Sequence, residues 1–81
     1  MDLKASFTYY ESQFPAKHNS ILKTSLALRR GRIDSMEDLR SIYENQPRRI
    51  EDLRGIGPQR FQLIGEILDY FKENELPPTE M

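Results

Sequence analysis

The chain has 81 residues and a net charge of −1, with 31% charged and 37% hydrophobic residues. That length allows one small domain, and that balance suits a folded, helix-rich chain rather than a disordered one. There is no cysteine and only one histidine, which excludes a disulfide framework and a histidine- or cysteine-based metal site.

No apolar run reaches the length of a membrane span, so no membrane association is expected. The start, Met1-Asp2-Leu3-Lys4, lacks a basic region followed by an apolar core, and no signal peptide is expected. The absence of cysteine fits a cytoplasmic protein. Charge is uneven along the chain. Ser12 to Ile33 holds no acidic residue but carries Lys17, Lys23, Arg29, Arg30 and Arg32. From Phe61 onward Glu66, Asp69, Glu73, Glu75 and Glu80 face Lys72 alone. A near-neutral total can thus hide a basic end and an acidic end.

Residues 2 to 14 read two ways. Leu3, Phe7, Tyr10 and Phe14 recur at helical spacing, whereas Leu3, Ala5, Phe7 and Tyr9 alternate as in a strand. A strand would have no partner in this chain, so a helix capped by Asp2 and ended by Pro15 is preferred. Residues 19 to 31 predict a second helix, with Asn19 or Ser20 as cap and an apolar stripe of Ile21, Leu22, Leu26 and Leu28. Arg29 and Arg30 complement its C-terminal dipole, and Gly31 provides a stop. Residues 36 to 45 predict a third helix, opened by Ser35 with Asp38 in a variant capping box. Met36, Leu39 and Tyr43 share one face, with Ile42 beside them.

Pro47 opens a short helix running to about Leu53, with Ile50 and Leu53 pointing inward. In Gly55-Ile56-Gly57 two glycines permit a tight turn with positive φ while Ile56 plugs the core. Pro58 opens the last helix, where Phe61, Ile64, Leu68 and Phe71 repeat at helical spacing, widened by Leu63 and Ile67. Pro77-Pro78 ends it. Leu28-Arg29-Arg30-Gly31-Arg32-Ile33 and Leu53-Arg54-Gly55-Ile56-Gly57 form a faint internal repeat, each joining a leucine-ended helix to the next. The domain organisation expected is an N-terminal helical or extended segment over 1–15, a helix-hairpin-helix domain over 16–74 and a flexible tail over 75–81.

The turn is also the chemical candidate. The first N–H groups of a helix lack intrahelical acceptors, carry partial positive charge and suit an anion. The amides of Gly57, Gln59 and Arg60 would hold a phosphate, with the Arg60 charge added and Arg54 on the preceding side. His18 has no second metal-type ligand beside it. Glu37-Asp38 and Glu51-Asp52 are adjacent pairs that diverge on a helix and serve its dipole. No nucleophile–base pattern is present, so no enzymatic activity and no cofactor are expected. Phe7, Tyr9, Tyr10 and Phe14 can stack on bases, but aromatics at helical spacing more often pack a core.

Ile50, Leu53, Gly55, Ile56, Gly57 and Ile64 fall where a helix-hairpin-helix motif places its apolar and glycine positions. With Phe61 in place of a small residue, and with the run Ala27-Leu28-Arg29-Arg30-Gly31-Arg32-Ile33-Asp34-Ser35-Met36-Glu37-Asp38-Leu39, the chain resembles the C-terminal domain of the bacterial RNA polymerase alpha subunit over roughly residues 20 to 70. It is a few residues longer than that family between Leu39 and Gly57. The resemblance implies an all-α fold: a compact bundle of four to five short helices with two helix-hairpin-helix-like units, in the manner of SAM domains and of that polymerase domain.

It also implies a non-catalytic DNA-binding module, probing the minor groove and touching transcription regulators. The family's minor-groove arginine falls on Lys23 and its neighbouring asparagine on Leu26. Its hairpin glycine is Gly57, its following basic residue Gln59, its serine Arg60 and its last-helix glutamate Leu63. Taken with the acid-free basic stretch and the Gly-Ile-Gly turn, the DNA-binding set expected is Lys23, Arg29, Arg30, Arg32, Arg54, Gly55, Gly57, Gln59 and Arg60. Double-stranded DNA is the expected partner, through its backbone or minor groove. The alternative is a protein-interaction module on the same scaffold, contacting RNA polymerase or a regulator, for which exposed Leu26 and Leu63 would form the patch.

Overall fold

Asp2 stands in extended conformation and its carboxylate accepts the Ala5 N–H at 2.9 Å, which starts helix α1 at Leu3. In the computed structural model, which describes residues 2–74, the chain forms five α-helices: α1 (Leu3–Gln13), α2 (His18–Arg30), α3 (Met36–Asn45), α4 (Pro47–Glu51) and α5 (Gly57–Asn74). A 3₁₀ turn, Pro15–Lys17, joins α1 to α2. The described residues contain no strand, and an isolated antiparallel bridge pairs Asp2 with Ser35. The all-α architecture expected from the periodicity is therefore present. The expected tail 75–81 and the Pro77-Pro78 stop lie outside the described residues.

The bridge has a structural role. The Leu3 N–H donates to the Asp34 carbonyl at 2.9 Å, so the start of α1 lies beside the start of α3. Ser35 caps α3 by accepting the Asp38 N–H at 3.1 Å, and Glu37 and Asp38 place negative charge in its first turn. Two capped N-termini thus stand side by side.

α2 departs from the expected pattern. It begins at His18, one residue ahead of the expected cap, with Lys17 as cap residue and no side-chain capping bond. The 3₁₀ turn opened by Pro15 runs directly into it, so Asn19 and Ser20 are helical rather than capping. Its inward face is Ile21, Thr24, Ser25, Ala27 and Leu28. Leu22 and Leu26, expected in the core stripe, are instead 41% and 39% exposed. The reason lies in neighbouring polar residues: Thr24 and Ser25 occupy the buried angle, and Thr24 Oγ1 satisfies itself on the Ser20 carbonyl at 2.6 Å.

One apolar cluster joins every α-helix. Leu3 and Phe7 of α1, Ile21 and Leu28 of α2, Leu39 of α3, Ile50 of α4, and Ile64 and Ile67 of α5 are each at most 1% exposed, as is Ile33 before α3. Side chains of this kind contribute roughly 1.5–3 kcal/mol each when fully buried. Helix α5 supplies the largest share, with Leu63, Leu68 and Phe71 also buried. Helix α1 supplies Leu3, Phe7 and Tyr10 to the same cluster.

Candidate nucleic-acid interface

The turn into α5 is built from the end of α4. The Asp52 N–H donates to the Arg48 carbonyl at 2.8 Å, Leu53 to Ile50 at 3.0 Å and Ile56 to Leu53 at 3.2 Å. The chain reverses through Gly55 at φ 91° and Gly57 at φ 63°, both in the left-handed region that glycine occupies without penalty. Ile56 between them is 2% exposed and anchors the turn in the core. A Cβ on Gly57 would meet nothing within 4 Å, so that glycine answers the backbone and leaves its surroundings open. Arg60 Nη1 donates to the Gly55 carbonyl at 2.6 Å, so the side chain expected to hold phosphate also braces the turn.

The turn after α2 has a different backbone. The Arg32 N–H donates to the Arg29 carbonyl and the Ile33 N–H to the Leu28 carbonyl, both at 3.0 Å. These are the two bonds of a Schellman motif, and buried Leu28 and Ile33 supply its usual apolar pair. Its left-handed position is filled by Arg32, at φ 67°, rather than by a glycine. Gly31 has an ordinary φ of −82°. It is glycine for a packing reason: a Cβ there would sit 2.7 Å from Leu53 Cδ2.

That contact brings the two turns together. Leu53 lies against Gly31, and a Cβ on Gly55 would lie 3.6 Å from the Ala27 Cβ. The last turn of α2 thus rests on the turn into α5. Arg30, Arg32 and Arg54, which flank the contact in sequence, are exposed, as is Lys23 one turn earlier on α2. Arg29 is half-buried, and its Nε is enclosed with no acceptor. Exposed Glu51 and Asp52 stand just ahead of the turn and reduce its net positive charge.

Beside the turn, an open groove of about 650 Å³ separates the start of α2 from the first turns of α5. Gly57, Gln59 and Arg60 line it, together with Lys17, Ser20, Gln62 and Glu66. Exposed Pro58 lines it too, and the nearly buried Ile56 and Leu63 lie at its floor. Lys17 Nζ lies 3.3 Å from Glu66 Oε1, which ties the basic stretch of the sequence to the acidic one. Tyr10 lies close to this pair. Burial pushes its phenol above the ordinary value, with Lys17 opposing and Glu66 adding to the shift.

Of the nine expected site residues, the groove gathers Gly57, Gln59 and Arg60, and the Arg60 bond attaches Gly55. Lys23, Arg29, Arg30, Arg32 and Arg54 lie outside it. Lys17, Ser20, Gln62 and Glu66, which line the groove beside Gly57, Gln59 and Arg60, are not in the expected set. Their spacing held a signal: Gln59, Gln62 and Glu66 share one helical face, as do Lys17 and Ser20. His18 Nδ1 pairs with the Glu11 carboxylate. The N-terminal aromatics pack: Tyr10 meets Phe14 at 4.6 Å and Tyr70 at 5.2 Å between ring centroids. Comparison of the chain with known protein families, with curated proteins and with solved structures finds no match.

Proposed function

We propose that this domain is a non-catalytic DNA-binding module of helix-hairpin-helix type, serving transcription and gripping the backbone through the turn into α5 and the cations around it. The observation that carries this reading is the construction of the turn: two left-handed glycines exposed on either side of a buried Ile56, with open space at Gly57 and an 18-residue helix beginning there. Such a turn presents helix-end amides to a phosphate without a side chain in the way. The contact between the two turns adds a second loop rich in exposed arginine.

The test is an amide-shift titration of labelled protein with A/T-rich and G/C-rich duplexes at low and moderate salt. Shifts should gather at Lys23, Arg30 to Arg32 and Arg54 to Arg60 and weaken with salt. Arg54→Ala and Arg30→Ala should each reduce the salt slope by about one and weaken all sequences alike. An absence of shifts at low salt would reject the reading.

A second reading is favoured by Leu22 and Leu26, which lie one turn apart on the outer face of α2 and are two-fifths exposed. They suit contact with a protein such as RNA polymerase or a transcription regulator. Leu63, the other half of that expected patch, is 7% exposed and does not join it. Leu22→Ala/Leu26→Ala should leave the duplex titration unchanged and abolish binding to purified polymerase if this surface serves that role.

A further inference from the structure

The groove beside the turn offers more than a phosphate needs. A phosphate is held by donors and positive charge at a surface. Here an open hollow of about 650 Å³ adjoins the turn, within the range of about 300–1,000 Å³ typical of sites that take an organic group. The exposed Pro58 ring gives it an apolar edge above a floor of nearly buried Ile56 and Leu63, while Gln59, Gln62 and Ser20 bring amide and hydroxyl groups that both donate and accept. Lys17 and Glu66 neutralise each other at the rim. An uncharged flat ring with donors and acceptors on its edge matches this lining, and glutamine pairs well with such edges.

We propose that the groove seats an unpaired nucleobase next to the backbone phosphate held at Gly55–Arg60, so that the preferred partner is single-stranded or locally unpaired nucleic acid. The inference rests on the nucleic-acid reading above and names the form of strand that the same site takes. A closed duplex keeps its ring faces stacked and its pairing edges occupied, and cannot fill the hollow. An unpaired base exposes both.

The test is fluorescence anisotropy with a labelled 12-nucleotide single strand and with its blunt duplex, at matched salt. Two exposed positions are altered, Gln62→Ala to remove an edge contact and Ser20→Trp to fill the hollow, and thermal melts check that each variant folds. The single strand should bind tighter than the duplex. Gln62→Ala should weaken the single strand about fivefold, the size of one lost hydrogen bond, and Ser20→Trp at least as much, with a smaller loss for the duplex in each case. Equal or tighter duplex binding, insensitive to both variants, would overturn the unpaired-base assignment while leaving the backbone-binding reading intact. Binding of neither form would overturn both.

Discussion

Arg32 holds a backbone conformation, φ 67°, that costs an L-residue roughly 1–2 kcal/mol and costs glycine nothing comparable. The Schellman bonds around it and the buried Leu28–Ile33 pair hold it there. Arg32→Gly should therefore stabilise the domain by about 1 kcal/mol in urea unfolding. If Arg32 also serves binding, the same variant should weaken DNA affinity. Gly65 presents the opposite case. It sits inside α5, where alanine would ordinarily gain about 1 kcal/mol, but a Cβ would come 2.5 Å from the Tyr43 hydroxyl oxygen. Tyr43 cannot simply swing away, because its ring stacks on Phe61 at 5.0 Å. Gly65→Ala alone should cost about 1–3 kcal/mol. Tyr43→Phe should recover part of that loss, and a double-mutant cycle in chemical denaturation would read the coupling.

At the scale of elements, the capping of α1 and α3 matters beyond each helix. Asp2 and Ser35 each accept a first-turn amide, and the bridge between them brings the two helix starts together. Asp2→Ala and Ser35→Ala should each cost about 1 kcal/mol, and the double variant should depart from additivity because the two sites share backbone contacts. Thermal melts of the three variants would measure this. α2 shows how an element's own pattern can mislead. Two of the four residues of its expected stripe, Leu22 and Leu26, face outward, while Thr24 and Ser25 are buried. Small residues admit close helix packing, and a threonine that bonds its own helix at Ser20 does not need solvent.

For the molecule as a whole, the aromatic layer couples stability to alkaline pH. Burial is the leading cause raising the phenols of both Tyr10 and Tyr70 above the ordinary 10.0. A phenol whose folded value is raised contributes its stability fully below the unfolded value and loses it as pH rises through and beyond that value. The domain should thus hold constant tyrosine-linked stability up to about pH 10 and lose it above. Tyr10→Phe should flatten the alkaline limb of the stability profile followed by circular dichroism. The pairing of Lys17 with Glu66 is half exposed on both sides and contributes at most about 1 kcal/mol. Its larger consequence is electrostatic: the basic and acidic stretches, far apart in sequence, neutralise each other at the groove.

The helices themselves were legible in the sequence. The three-four spacing of Ile64, Leu68 and Phe71, the Ser35–Asp38 cap and Pro47 and Pro58 at helix starts are local signals, and the local hydrogen bonds follow them. The two turns were legible as glycine-bearing joints, and Ile56 as the plug between helices. The reason for each glycine was not. Gly31 answers to Leu53, Gly65 to Tyr43, and the left-handed place after α2 belongs to Arg32, all facts of contact between distant segments. The candidate site divides in the same way. Gly57, Gln59 and Arg60 could be read from a motif because they fall within one four-residue stretch, whereas Lys17 and Ser20 join them only when α2 packs beside α5. Spacing within one helix determines which face is apolar or polar. Which polar face meets which groove is decided by packing, because close-packed cores select partners by shape as well as by hydrophobicity.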